Sequence, residues 1–261
     1  MTVLSIEDLS AGYDRGLIIS GISLSVPKGT FLGVLGPNGA GKTTLFKVIG
    51  RLVRPFSGVV RYAGIDITDI TRREYAHRVA VIPQFQHILP PYTVEEFVRL
   101  GRYPHVKRFS PLKRTDHKIT QEILDLLHLG EQRNKRITAL SGGELQRVFL
   151  AQGLAQKPSL ILMDEPTSHL DITHQIKILD IVKTLSVKDG LTVLIILHDL
   201  NLAGAYCDRI VFMKGGKISA QGTPEQVLTE KNIEKVYGTR VVVKQDPVGS
   251  KPHIFFIPGQ G

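Results

Sequence analysis

Eight residues, Gly36 to Thr43 (G-P-N-G-A-G-K-T), constrain this chain's fold more than any other stretch. They fit G-x-x-x-x-G-K-[ST], a loop whose glycines let backbone N–H groups turn inward around phosphates. The pattern is informative only where a strand enters the loop and a helix leaves it. Phe31 to Leu35 supplies a short apolar strand, and Leu45 to Leu52 a helical run. The helix, from about Lys42, aims its positive end at the phosphates. Lys42 would reach the β- and γ-phosphates of a nucleotide, and Thr43 would hold Mg²⁺.

Three other short apolar runs end in polar residues. Val79 to Ile82 runs into Pro83 and Gln84, Leu160 to Met163 into Asp164 and Glu165, and Val193 to Leu197 into His198. Runs this short, rich in Val, Ile and Leu and without alternation, read as strands buried on both faces, hence a parallel sheet. Ligands of such sheets sit beyond the carboxyl ends of the strands. Four strand ends with polar residues therefore converge on one site. Asp164 would be a costly buried carboxylate unless a cation partners it. Glu165 next to it is placed to orient or deprotonate an attacking water.

The segment from about Glu95 to Gly153 has helical periodicity, as in Ile119, Ile123, Leu124 and Leu127, and reads as a helical insertion. Val3 to Leu9 and Ile22 to Val26 read as antiparallel strands flanking the core. K-G-G-K between apolar runs in Ile210 to Ala220 reads as a hairpin. From Pro224 the tail reads as short helices, then strands at Arg240–Val243 and Ile254–Ile257.

The segment Leu140 to Gln146, L-S-G-G-E-L-Q, opens on the capping-box pattern S-x-x-E. Two glycines at the first helical positions are poor helix formers, but they leave N–H groups sterically open. A second phosphate approaching from outside would suit such a helix start. Lys42 already serves one triphosphate, so the economical reading is that this start serves the nucleotide of another subunit.

These motifs, in this order and over nearly the whole length, resemble the ATP-binding cassette family. The resemblance implies an α/β fold: a P-loop NTPase (RecA-like) parallel-sheet core with an N-terminal antiparallel β subdomain and an inserted α-helical subdomain. It divides the chain into a core at about 1–86 and 154–224, a helical subdomain at about 87–153 and an extension at about 225–261. It implies ATP and Mg²⁺ as ligands. Gly36, Pro37, Asn38, Gly39, Ala40, Gly41, Lys42, Thr43 and Thr44 would form the nucleotide loop, and Tyr13, in S-A-G-Y, would stack on adenine. Gln84 would sense Mg²⁺ and the γ-phosphate, with Thr43 and Asp164 completing the cation site. Lys42, Glu165 and His198 would be catalytic, His198 as the switch contacting the γ-phosphate. Ser141, Gly142 and Gly143 would meet a partner's nucleotide, and Asp171 would link the two sites across the dimer. His169 and His174 flank Asp171 and read as non-metal, since five residues apart they do not share a helical face.

Within the family, L-G-R-Y-P-H (Leu100 to His105), T-S-H-L-D-I (Thr167 to Ile172) and H-D-L-N-L-A (His198 to Ala203) resemble importer ATPases for iron chelates, haem and cobalamin. Y-C-D-R-I (Tyr206 to Ile210) and G-T-P-E-Q-V-L (Gly222 to Leu228) fit the same group, and importers of molybdate-type oxyanions share much of this. The implied partners are a second copy of the chain, two transmembrane permease subunits and, indirectly, a periplasmic or extracellular substrate-binding protein. The implied place is the cytoplasmic face of a membrane.

Composition agrees with that placement. No run approaches the roughly 18 apolar residues of a membrane span, the N-terminus lacks a signal-peptide layout, and the single Cys207 rules out an internal disulfide. The net charge is +9, and Arg99 to Arg136 holds ten Lys/Arg against four Asp/Glu. Without an unbroken basic run or a basic–aromatic stripe, this reads as a solvated surface near anionic lipid rather than a nucleic-acid site. A DNA-repair cassette would carry a long coiled coil where Gln84 and Ser141 are only 57 residues apart. A translation-associated protein would carry two cassettes, and an exporter a fused membrane domain. A degenerate regulatory module would have lost residues such as Lys42 or Glu165.

Overall fold

The computed structural model describes residues 1–14, 16–84, 91–107, 110–168, 170–245 and 251–257. The chain opens with a long antiparallel hairpin, β1 (Thr2–Tyr13) and β2 (Gly16–Pro27), followed by β3 (Phe31–Leu35) and helix α1 (Lys42–Ile49). Strands β4 (Ser57–Tyr62) and β5 (Ile65–Asp66), the short α2 (Arg72–Ala76) and β6 (Val79–Ile82) come next. A helical stretch follows: α3 (Val94–Leu100), α4 (Arg114–Leu126) and α5 (Gly142–Ala155). Then come β7 (Leu160–Met163), α6 (Ile172–Asp189), β8 (Thr192–Ile196), α7 (Leu200–Tyr206), β9 (Arg209–Lys214) and β10 (Lys217–Gly222). The chain closes with α8 (Pro224–Val227), α9 (Glu230–Tyr237), β11 (Val241–Gln245) and β12 (Pro252–Phe256).

Six strands form the central sheet in the order β10-β9-β3-β8-β7-β6. All neighbours are parallel except the β9–β10 hairpin at the edge. Successive residues of its strands point to opposite faces, and the core divides accordingly. Phe31, Leu35, Val193 and Ile195 pack under α5, α6 and α7. Leu32, Val34, Leu194 and Ile196 pack against α1 and the second sheet, β2-β1-β4-β5, which is antiparallel. Every residue of β3, β7 and β8 is buried, which is why these strands lack alternation in sequence.

The strand runs into Gln84, Asp164 and His198, the antiparallel N-terminal strands, the helical stretch and the Lys214–Lys217 hairpin all match the sequence reading. The hairpin strands β1 and β2 extend well past their apolar runs, and β4, β5 and α2 are additional elements. The tail is part of the core: Ile254 is buried, and Asn201 on α7 exchanges two hydrogen bonds with its backbone, at 3.2 and 2.7 Å.

Candidate functional site

The phosphate loop turns between β3 and α1 at the centre of the sheet. Two of its glycines are sterically required. A Cβ on Gly36 (φ +149°) would stand 2.1 Å from the Met213 carbonyl, and one on Gly41 (φ +95°) 2.5 Å from Ile19 Cγ2. The loop is thus wedged between β9 and the N-terminal hairpin, and its backbone can curl only because those side chains are missing. Lys42 is buried, its ammonium donating to the carbonyls of Gly36 at 2.8 Å and Pro37 at 3.0 Å. Burial pulls its pKa below the usual lysine range, against the opposing pull of Glu165 and Asp164. Both carboxylates are therefore close enough to Lys42 to be felt electrostatically.

Asp164 and Glu165 follow β7, whose neighbours are β6 and β8. Asp164 is buried and accepts from the Thr43 hydroxyl at 3.3 Å. Burial pushes its carboxyl above the usual range, although Thr43, Lys47 and Lys42 pull the other way. Glu165 sits in the left-handed region at φ +51°, a strained conformation for a residue with a β-carbon. This conformation places its carboxylate between the two adjacent strand ends. Gln84 donates Nε2 to Glu165 Oε2 at 2.9 Å, and His198 Nε2 lies 2.6 Å from Oε1. Ser168 adds a third contact at 3.2 Å, one that its place in P-T-S did not signal.

The structure thus joins Gln84, Glu165 and His198 in one cluster and Thr43 with Asp164 in another. Thr43 and Asp164 bring a hydroxyl and a carboxylate together, while Gln84, the third donor expected from the sequence, sits in the other cluster with its amide nitrogen on Glu165. That hard-oxygen set suits a cation such as Mg²⁺, which keeps water and phosphate oxygens for its other positions. Among the described residues no group of three or more His, Cys, Asp and Glu could hold a metal unaided; His169 lies outside the described residues. Tyr13 ends β1, 43% exposed, with the Lys47 ammonium 5.5 Å from its ring, so it borders the outer side of α1.

Ser141 caps α5 with the full reciprocal box. Its amide and hydroxyl donate to Glu144 Oε2 at 2.9 and 2.8 Å, and its Oγ accepts from the Glu144 amide at 3.4 Å. A Cβ on Gly142 would meet nothing within 4 Å, so the helix start is open there. Gly143 differs: the His174 imidazole lies against it. Asp171 caps α6, accepting from the His174 amide at 3.0 Å.

The motif L-G-R-Y-P-H forms a joint between the helical stretch and the core. Arg102 is buried, paired with Asp116 at 2.9 Å and donating to the Ala155 carbonyl at 2.7 Å. His105 bonds the Gln156 carbonyl at 2.8 Å, and the Pro104 carbonyl accepts from Arg73 at 2.8 Å and bonds His77 at 2.6 Å.

A Gly-rich loop, a lysine, an aspartate and a glutamate on the carboxyl ends of a parallel sheet define a P-loop nucleotide triphosphatase. Residues 19–168 match the ABC transporter family, and the chain belongs to it. It is similar to an uncharacterized ABC transporter ATP-binding protein, YvrA of Bacillus subtilis, at 41% identity over 97% of this chain, which spans 57% of that protein's length. It is 37% identical to a siderophore transport system ATP-binding protein, YusV of the same organism, over 97% of this chain and 92% of that protein. A solved ABC transporter assigned to the metal-chelate type, in an inward-facing conformation, superposes with a TM-score of 0.85 at 27% identity, covering 99% of this chain and 98% of that one. The chain is accordingly an ATP-binding and ATP-hydrolysing subunit.

Proposed function

We propose that this chain is the ATPase of an importer for metal chelates of the ferric siderophore, haem or cobalamin class, working as a pair of identical cassettes. The observation that carries the paired mechanism is the open start of α5: among the described residues Gly142 faces empty space, and the side chain of Ser141 bonds only to Glu144. Each nucleotide would lie on the phosphate loop of one copy, with Lys42 on its β- and γ-phosphates and Tyr13 against the adenine. Ser141, Gly142 and Gly143 of the other copy would complete the site. Thr43, Asp164 and Gln84 would hold Mg²⁺, which supplies charge neutralisation of the phosphates when bound. Glu165 orients and deprotonates the attacking water, and His198 contacts the γ-phosphate and frees Glu165 from its present bond.

ATP closes the pair because each γ-phosphate gains donors from both copies; hydrolysis removes that bridge. Only this difference in affinity between closed and open states can drive transport. The helical segment at about 87–153 would move against the core at about 1–86 and 154–224, with 225–261 as an extension of that core. The motion would pass, through the region after Gln84, to two transmembrane permease subunits on the cytoplasmic face, fed indirectly by a substrate-binding protein. Residues 85–90 of that region lie outside the described residues. Among the described residues no helix is long and apolar enough to cross a membrane. The cargo class is supported by the siderophore and metal-chelate relatives. Its test is reconstitution with the co-purifying permease: ferric siderophore or another metal chelate should stimulate ATP hydrolysis, and stimulation by molybdate alone would reassign the cargo.

A further inference from the structure

Among the described residues of T-S-H-L-D-I-T-H-Q, His174 touches both Asp171, read as the link between the two sites, and the α5 start, read as meeting the partner's nucleotide. Its ring carbons Cδ2 and Cγ would lie 3.0 and 3.3 Å from a Cβ on Gly143, so the imidazole rests directly on the α5 start. Its Nδ1 donates to Asp171 Oδ2 at 2.6 Å while its amide donates to Oδ1 at 3.0 Å. The next residue, Gln175, donates to the carbonyls of Thr167 and Leu170 at 3.1 and 3.0 Å, fixing the segment that runs from Glu165 to Asp171. Two consecutive residues of α6 therefore tie that segment down, and one of them reaches across to the L-S-G-G turn. A β-carbon at 143 would crowd the ring, which would have to give by a few tenths of an ångström.

We infer that His174 is a positioning residue: it locks Asp171 and the α5 start of one copy at a fixed spacing, so that both engage the partner in a single step. The inference rests on the paired reading above. An exposed His–Asp pair on an ordinary surface is worth little, and its Asp171 side chain is 63% exposed. In this arrangement its value lies in pre-ordering a surface that the second copy covers. His174 touches neither Lys42 nor the phosphate loop in any hydrogen bond described, so nucleotide binding by a single copy is independent of it.

The test compares His174→Ala and His174→Asn in a Glu165→Gln background, reading ATP affinity of the single chain and ATP-dependent dimer formation separately. Asn carries a donor near the position of Nδ1 and lacks the ring. One ordinary hydrogen bond is worth about fivefold, and a symmetric dimer counts it twice. His174→Ala should therefore weaken ATP-driven dimerisation about 25-fold at unchanged single-chain ATP affinity, and His174→Asn should recover most of that loss. The inference is overturned if His174→Ala dimerises like its Glu165→Gln parent, if Asn recovers nothing, or if single-chain ATP affinity falls with the dimer. Failure of the Glu165→Gln parent itself to dimerise would overturn the paired reading first, and this inference with it.

Discussion

Glu165 Oε1 lies 2.6 Å from His198 Nε2, joining the second residue after β7 to the second residue after β8. Gln84, beyond β6 on the other side, holds the second oxygen at 2.9 Å. The proposed catalytic carboxylate is thus pinned by both neighbouring strand ends, on a backbone held at φ +51°. Such strain is kept where it serves a site. Release of either neighbour toward a nucleotide would free Glu165 to face water.

Asp164 makes the same trade in another form. Burial raises its carboxyl pKa, so ionisation opposes folding: the cost is absent at low pH and grows as pH rises through the ordinary carboxylate range and on to the raised value. Asp164→Asn should raise the melting temperature of the nucleotide-free protein by about 2 °C or more near pH 7.5, with the gain shrinking toward about pH 4. Scanning calorimetry across pH checks this. The same variant should lose Mg²⁺-dependent ATP hydrolysis, as expected if the carboxylate is retained for the cation rather than for stability.

Ser141→Arg should leave ATP binding by the single chain within about twofold and reduce hydrolysis by about 100-fold or more. Fluorescent-nucleotide titration and phosphate release give the two readings. The arginine would fill the open space beside Gly142 and break the box with Glu144, both far along the chain from Lys42. Loss of single-chain binding would put Ser141 in its own copy's site.

Arg102 and Asp116 test the packing within the helical stretch, where the pair ties the turn after α3 to α4. Both side chains are under 8% exposed, so removing one strands the other's charge. Arg102→Met should cost about 3–5 kcal/mol in urea denaturation, and adding Asp116→Leu should return most of it. Equal losses in the single and double variants would mean that the Ala155 carbonyl contact, rather than the ion pair, carries the stability.

These sites differ in how much of them the sequence reveals. The Ser141–Glu144 box is legible because its two partners are three residues apart, and so are the strands that are apolar throughout, such as Leu160–Met163. The hairpin β1–β2 extends past its apolar runs because register shifts between Ile6 and Ala11 let Ser10 and Gly12 stay in the strand. The strand β4 is short and mixed, S-G-V-V-R-Y, and its pairing with β1 is what makes it a strand. The convergence of Gln84, Asp164, Glu165 and His198 is readable from strand ends alone, but the bonds among them are not. L-G-R-Y-P-H reads as a subgroup marker, and only the fold shows that Arg102 and His105 hold the end of α5. Likewise Gly143 looks open in sequence because His174 is 31 residues away.

The central claim is that each copy of this chain supplies half of its partner's ATP site. Sedimentation of Glu165→Gln with and without ATP and Mg²⁺ tests it most directly. The Glu165→Gln chain should bind ATP, turn it over at least about 100-fold more slowly than the parent, and shift from monomer to a dimer holding two ATP. A Glu165→Gln chain that binds ATP yet stays monomeric at concentrations well above its ATP affinity would contradict it.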